Sequence, residues 1–256
     1  MYVQERQREI CSILQEEKRV SVKDLSKRFG VSDATIRRDI NSLHERGLLV
    51  RTHGGAIPSE RMVFPQEFKV RKDEHPEVKD KLAATAAAMV KPFDTLMIDS
   101  GTTTLRVVNA IMKRTDLRGL TIITNSIRIS LELAKYPEVK GILIGGNLAP
   151  QELATQGPLS LNNIEKFKAT KTIIGISGID LEFGLTDGDE YSRELKEKML
   201  YLGEEKIVVA DSSKFGRIAS YSLAGLNEVD TIITDNSLDE RHRKGVLAKG
   251  VNLITV

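Results

Sequence analysis

The chain has one cysteine, Cys11, and no tryptophan in its 256 residues. A lone thiol cannot close an internal disulfide, and it excludes zinc sites built on cysteine pairs, so a reducing, cytoplasmic home is expected. Aromatic residues make up 5% of the chain, too few for an aromatic-lined sugar or single-strand surface. No apolar run approaches the roughly eighteen residues that cross a bilayer, and no membrane partner is expected. The start, Met1-Tyr2-Val3-Gln4-Glu5-Arg6, is polar at once and is not a secretory signal. Neither the nucleotide motif Gly-x-x-x-x-Gly-Lys-Ser/Thr nor a Gly-x-Gly-x-x-Gly after the first strand of the second domain is present. No cofactor and no metal are expected.

Nor is there a large excess of either charge, since the net is only +2. Its distribution says more: residues 1–56 hold 11 Lys/Arg against 8 Asp/Glu, and the rest hold 27 against 28. A mildly basic front end permits contact with nucleic acid. The 40% hydrophobic content fits globular domains with sizeable cores, and the length suits a small domain followed by a medium one.

The front end reads as three helices and a wing, over residues 1–57. Ile10, Ile13 and Leu14 stand three and four apart and give a first helix one buried face. Ser21 and Asp24 have capping-box spacing, which starts a second helix over about Val22 to Arg28. Phe29-Gly30-Val31-Ser32 is the turn: Gly30 supplies the positive φ of a sharp bend, Ser32 the next N-cap, and Val31 with Ile36 a hydrophobic staple. In the third helix, Asp33 to Arg46, Ile36, Ile40 and Leu43 face inward, while Thr35, Arg37, Arg38 and Asn41 face outward. A helix of this width fits the major groove, where Arg reads guanine edges and Thr or Asn contacts adenine or the thymine methyl. Arg37 and Arg38 lie about 100° apart, so one is expected to reach bases and the other phosphate. Gly47-Leu48-Leu49-Val50-Arg51-Thr52-His53-Gly54-Gly55-Ala56 forms the wing, with Arg51 and His53 outward and Val50 and Thr52 inward. Double-stranded DNA is the expected partner of Ser21, Ser32, Thr35, Arg37, Arg38, Asn41, Arg51 and His53. A protein-docking module is the alternative use of the same pattern.

Pro58, Pro65 and Pro76 make residues 58–77 an irregular connector, in which Phe64 and Phe68 are available for packing. The second domain, 78–256, opens with an alanine-rich helix over Lys81 to Val90. Apolar runs then recur at Thr95–Ile98, Leu120–Thr124, Gly141–Ile144, Thr172–Ile176, Lys206–Ala210, Thr231–Thr234 and Val251–Val256, with helical spans between most of them. Continuous Ile/Val/Leu strands predict a Rossmann-like, mostly parallel α/β/α sheet covered on both faces. Ligands of such sheets sit at the carboxyl ends of the strands.

The sharpest of those ends is Asp99-Ser100-Gly101-Thr102-Thr103, a hydroxyl-rich turn running into a helix, which suits a phosphate. Ser100, Gly101, Thr102 and Thr103 would donate hydrogen bonds to it, and Lys214 would bring a cation. Asp99 and Asp180 would accept from ligand hydroxyls, and Lys196 is a further candidate. Asn125, Gly145, Gly146 and Gly178 occupy the corresponding ends of other strands.

Assembled in this order, the chain resembles a full-length member of the DeoR family of bacterial transcription regulators. The resemblance rests on Val31-Ser32-Asp33-Ala34-Thr35-Ile36-Arg37-Arg38-Asp39-Ile40, Arg51-Thr52-His53-Gly54-Gly55-Ala56, Asp99-Ser100-Gly101-Thr102-Thr103, Thr124-Asn125-Ser126, Leu143-Ile144-Gly145-Gly146 and Ala210-Asp211-Ser212-Ser213-Lys214-Phe215-Gly216. It implies a winged helix-turn-helix that binds operator DNA, usually as a repressor of carbohydrate genes. It also implies a sensor domain for a phosphorylated sugar, similar in fold to ribose-5-phosphate isomerase, in a homo-oligomer that is a dimer or a tetramer. An isomerase with an added interaction module is the alternative. Against it, Asp180 has no second carboxylate beside it, and Gly184-Leu185-Thr186-Asp187-Gly188 replaces the isomerase's lysine-bearing segment. Arg193-Glu194-Leu195-Lys196 does resemble the isomerase's Arg-Glu-Lys segment. No enzyme activity is expected. Gln156, where a small or branched apolar residue is common in the family, and the acidic stretch of Glu182, Asp187, Asp189 and Glu190 are departures that bear on which ligand is accepted.

Overall fold

In the computed structural model, which describes residues 3–59 and 68–256, the front end runs α1 (Val3–Glu17), β1 (Val20–Ser21), α2 (Val22–Phe29), α3 (Asp33–Glu45), β2 (Leu49–Thr52) and β3 (Gly55–Pro58). Both interior helix starts are capped by serine. Ser21 Oγ accepts from the Asp24 amide at 3.1 Å, and Ser32 Oγ from the Thr35 amide at 3.2 Å. Gly30 ends α2 with φ 64°, in the left-handed region where a side chain would be strained. Ile10, Leu14, Leu25, Ile36, Ile40 and Leu43 are the fully buried centre of the domain.

Two features of the wing differ from the expectation. Val20 and Ser21 add a strand to it, pairing with Ala56 and Gly55, so the sheet has the order β1-β3-β2. Val50, expected to face inward, is 40% exposed; Leu49 takes the buried place at 1%.

The connector is not irregular throughout. It carries α4 (Phe68–Asp73), and α5 (Pro76–Ala88) begins with Pro76 in its first turn, several residues before the expected start at Lys81. Phe68 is 3% exposed. Phe64 and Pro65 lie outside the described residues.

The second domain continues β4 (Thr95–Ile98), α6 (Thr102–Met112), β5 (Thr121–Thr124), α7 (Ile127–Leu133), β6 (Lys140–Leu143), β7 (Asn147–Ala149), β8 (Ala154–Gln156), α8 (Pro158–Ile164) and β9 (Ala169–Gly175). Then come β10 (Gly178–Asp180), β11 (Gly184–Asp187), α9 (Glu190–Leu202), β12 (Gly203–Val209), β13 (Tyr221–Ala224), β14 (Thr231–Thr234), α10 (Glu240–Ala248) and β15 (Asn252–Thr255). The seven apolar runs are the seven strands of one sheet, ordered β15-β14-β12-β9-β4-β5-β6, and every neighbouring pair is parallel. Side chains alternate between its faces. Met97, Ile123, Ile174, Val208 and Ile232 meet Ile164 of α8, Met199 of α9 and Val246 of α10. Leu96, Ile98, Ile122, Ile173 and Ile207 meet Leu82 of α5, Val107 of α6 and Ile129 of α7. Burying each such side chain contributes about 1.5–3 kcal/mol, which is why the strands read as unbroken apolar runs.

From β4 the chain winds outward through β5 and β6, then returns to β9 on the other flank of β4 and winds outward again. That reversal opens a crevice beyond the carboxyl ends of β4 and β9. Two short antiparallel sheets, β7-β8 and β10-β11-β13, flank the main sheet.

Candidate functional site

On α3, Arg37 and Arg38 are both exposed, and the inward residues Ile36, Ile40 and Leu43 hold the helix against the core. Arg51 of β2 donates to Asn41 Oδ1 at 2.9 Å, which ties the wing to α3. His53 is exposed in the turn between β2 and β3. Thr35 Oγ1 lies 2.9 Å from Ser32 Oγ. The Ser21 hydroxyl donates to Asp24 Oδ2 at 2.6 Å while accepting the Asp24 amide, as the cap of α2.

Asp39 went unnoticed in the sequence. It is 3% exposed and faces inward, where Arg6 Nε donates to its Oδ2 at 2.6 Å. Its position between Arg38 and Ile40 on the inner face was the available signal, since a buried carboxylate needs a cation.

The crevice of the second domain holds a cavity of about 330 Å³. Asp99, Ser100, Gly101, Thr102, Thr103, Asn125, Lys196 and Lys214, from four different segments, all line it. Gly101 is the N-cap of α6, and its amide is already taken by Thr104 Oγ1 at 2.8 Å. Thr102 and Thr103 are 7% and 8% exposed, and their hydroxyls have no hydrogen-bond partner among the described residues. The amides of these first two helical residues have no intrahelical acceptor either.

Beside this helix start, Lys196 of α9 stands between two carboxylates, 2.5 Å from Asp187 Oδ2 and 3.2 Å from Asp99 Oδ2. Burial alone would lower the Lys196 pKa, but Asp187 and Asp99 hold it above its ordinary value. Asp99 also accepts the Gly175 amide at 3.2 Å, which stitches the ends of β4 and β9 together. Asn125 donates to Thr155 O at 2.9 Å, while its own Oδ1 is buried without a partner among the described residues. A hydroxyl entering the cavity can donate to this oxygen.

Four candidates lie elsewhere. Asp180 Oδ1 accepts the amides of Glu182 and Phe183 at 2.9 and 3.0 Å, so it turns the β10–β11 hairpin instead of facing the cavity. Gly178 backs onto the Arg217 carbonyl, 2.6 Å from where a Cβ would stand. The Gly145 carbonyl accepts from Ser160 Oγ at 3.1 Å, and Gly146 packs against the same serine. In turn the cavity takes in Arg71, Lys79, Glu152, Asp187 and Asp211. Arg71, Lys79 and Glu152 were overlooked because they come from separate parts of the chain that only the fold brings together, whereas Asp187 enters the sequence reading only as part of an acidic stretch and Asp211 only as part of a motif. No group of His, Cys, Asp or Glu suited to a metal is found among the described residues, and no helix there is long and apolar enough to cross a membrane.

A winged helix-turn-helix joined to a doubly wound sheet with a polar crevice defines the class: a DNA-reading regulator with a second domain built around a cavity. Residues 6–61 match the family model described as the DeoR-like helix-turn-helix domain, and residues 74–236 match the DeoR C terminal sensor domain. The chain is 32% identical over 256 residues to the HTH-type transcriptional regulator YulB of Bacillus subtilis, covering 100% of this chain and 98% of that protein. It is 34% identical over 227 residues to the glycerol-3-phosphate regulon repressor of Escherichia coli, with 88% of each chain covered. Ribose 5-phosphate isomerase A of Neisseria gonorrhoeae aligns with 54% of this chain and 53% of its own, at 16% identity and a TM-score of 0.41. The chain belongs to the DeoR family of helix-turn-helix transcriptional regulators. It is a transcriptional regulator.

Proposed function

We propose that the protein is a cytoplasmic repressor of a carbohydrate-metabolism operon, and that a phosphorylated sugar or related metabolite in the cavity sets its grip on operator DNA. One observation carries this reading: two buried threonines, Thr102 and Thr103, have hydroxyls without a partner among the described residues, at a helix N-terminus that lines a cavity with Lys214. Hydroxyls, end amides and a cation together form an anion cradle. Asn125 Oδ1 and the Asp99–Lys196–Asp187 cluster offer acceptors and a donor for sugar hydroxyls.

Two copies of the chain would place their α3 helices in successive major grooves, which asks for half-sites about one helical turn or a multiple of it apart. Residues 1–57 and 78–256 then act as the two working units, with 58–77 between them. Ligand binding regulates DNA only if the two arrangements of these units bind it unequally.

Titration calorimetry of the full chain with glycerol 3-phosphate, ribose 5-phosphate and fructose 6-phosphate, beside the same sugars or polyol without phosphate, tests the cradle. Thr103→Val keeps the shape and removes one donor; a hydrogen bond to a charged group contributes about 1.5–3 kcal/mol, so affinity should fall at least tenfold. Absence of binding by every phosphate, with a stable folded protein, would sink the reading.

A further inference from the structure

The cavity contains a buried cation with no carboxylate at ion-pair distance among the described residues. Lys79 of α5 is 3% exposed and forms no ion pair among the described residues. Its Nζ donates to the backbone carbonyl of Arg71 in α4. A buried ammonium without a counter-ion is costly, and a chain retains one most cheaply where a ligand brings the missing negative charge. Lys214, which lines the same cavity, is likewise without an ion pair among the described residues. Burial lowers the Lys79 pKa most; Asp211 and Glu74 pull it back up, Lys214 and Arg106 push it down, and the net shift is downward.

Arg71 completes the cluster. Its side chain lines the same cavity and pairs with Glu152, in the loop between β7 and β8. Both side chains are about a third exposed, at 28% and 32%, so the pair is held by charge at the cavity rim and not locked in a core. α4 is also the first described element after the wing, and its only deep anchor is Phe68, over whose ring the Arg128 guanidinium lies 4.1 Å from the centroid.

We propose that Lys79, together with Lys214, neutralises the phosphate held at the start of α6, and that this phosphate competes with Glu152 for Arg71. The inference rests on the sensor reading above and deepens it by naming the residues through which occupancy leaves the cavity. A phosphate offers guanidinium the same two-pronged acceptor as a carboxylate, with more charge. When Arg71 changes partner, α4 is drawn toward the α6 cradle and away from the β7–β8 loop. Because α4 follows the wing in the chain, its position limits where the winged domain can sit. Glu152 therefore acts as a built-in competitor that keeps α4 in its ligand-free place.

Full-length wild type, Glu152→Gln and Lys79→Met are compared by calorimetry with whichever of glycerol 3-phosphate, ribose 5-phosphate or fructose 6-phosphate the wild type binds. The same ligand without its phosphate serves as control. Glu152→Gln should bind the phosphate at least threefold more tightly and respond on operator DNA at correspondingly lower concentration. Lys79→Met should lose at least tenfold in affinity, with no matching change for the unphosphorylated control. If Lys79→Met does not fold, Glu152→Gln, altered at a rim residue, decides alone. Wild-type affinity for the phosphate in Glu152→Gln overturns the proposal while leaving the sensor reading intact. Failure of the wild type to bind any of the three phosphates overturns the sensor reading and this proposal together.

Discussion

Ile218 and Phe183 belong to the sheet domain, yet both pack on the hydrophobic core of the winged domain. Ile218 is 2% exposed within the cluster formed by Ile10, Leu25 and Ile40, and Phe183 packs against the same cluster. Phe183 sits in the β10–β11 turn held by Asp180, four residues before the cavity residue Asp187; Ile218 lies four residues after Lys214. The two segments are fastened to each other: the Gly216 amide donates to the Ile179 carbonyl at 2.8 Å, and the Ala219 amide to Thr186 Oγ1 at 2.9 Å. The cavity wall and the inter-domain contact are therefore one small piece of structure.

Ile218→Ala should cost about 2–5 kcal/mol, the usual penalty for truncating a buried isoleucine. The loss should appear as faster amide exchange in α1 to α3, since the contact is made there. Operator affinity without ligand should be retained while the ligand-dependent change shrinks. Amide exchange by mass spectrometry and fluorescence anisotropy on the same samples measure both; an unaltered ligand response would show that the contact is only cohesive.

The Arg6–Asp39 pair, at 5% and 3% exposure, joins the first turns of α1 to the inner face of α3. Removing one partner strands a buried charge, so Asp39→Ala or Arg6→Met should destabilise by about 3–5 kcal/mol. The double variant Arg6→Met/Asp39→Leu should recover a large part of that, because it strands neither charge. Urea unfolding followed by circular dichroism, read as a double-mutant cycle, gives the coupling. Strictly additive losses would mean that the two side chains act independently.

Acid stability should depend on Asp94, which is 7% exposed and 3.0 Å from Lys171 Nζ. Burial opposes its ionisation, but the Lys91 amide, Lys171 and Thr170 outweigh burial and hold its pKa below the ordinary 3.8. A folded pKa below the unfolded one makes a contribution that is intact above pH 3.8 and disappears as pH falls through the lower folded value. Asp94→Asn should lower stability at neutral pH and flatten the wild-type decline in that acid window. Melting temperatures of the two proteins from pH 7 down to pH 2.5 test this, and parallel curves would contradict it.

How much of this was legible before any coordinates depended on whether a feature is local. All seven strands of the main sheet announce themselves, because residues such as Met97, Ile98, Ile173 and Val208 are buried on both faces and leave no polar interruption. The caps at Ser21 and Ser32 and the left-handed turn at Gly30 follow from chemistry spanning three or four residues. The strands β7, β8, β10 and β11 have three or four residues each, with glycine, threonine and aspartate among them, too short for a period of two to emerge. Asp180 shows the limit from the other side: a carboxylate near a strand end looks like a ligand group until its oxygen is found on the Glu182 and Phe183 amides. Lys79 sits at the start of a helix whose alanines hide how deeply its ammonium is buried, and only the return of the chain at Lys214 and Glu152 completes the cluster.

The two arginines of α3 should separate by what each does to sequence preference. Both are exposed, but successive helix positions point about 100° apart, so they cannot address the same strand of DNA in the same way. The arginine facing the groove floor should, as Ala, cost about 1–3 kcal/mol on the operator and relax discrimination at one base pair. Its neighbour, as Ala, should weaken operator and unrelated duplex alike and reduce the salt dependence of binding by about one unit of slope. Arg51→Ala, which frees Asn41 from its 2.9 Å hydrogen bond, should resemble the second class if the wing lies on phosphate. Anisotropy titrations of Arg37→Ala, Arg38→Ala and Arg51→Ala against operator and scrambled duplex, at four salt concentrations, separate the classes. If Arg37→Ala and Arg38→Ala lost the same amount on both duplexes with the same slope, α3 would be bound along the backbone and not in the groove.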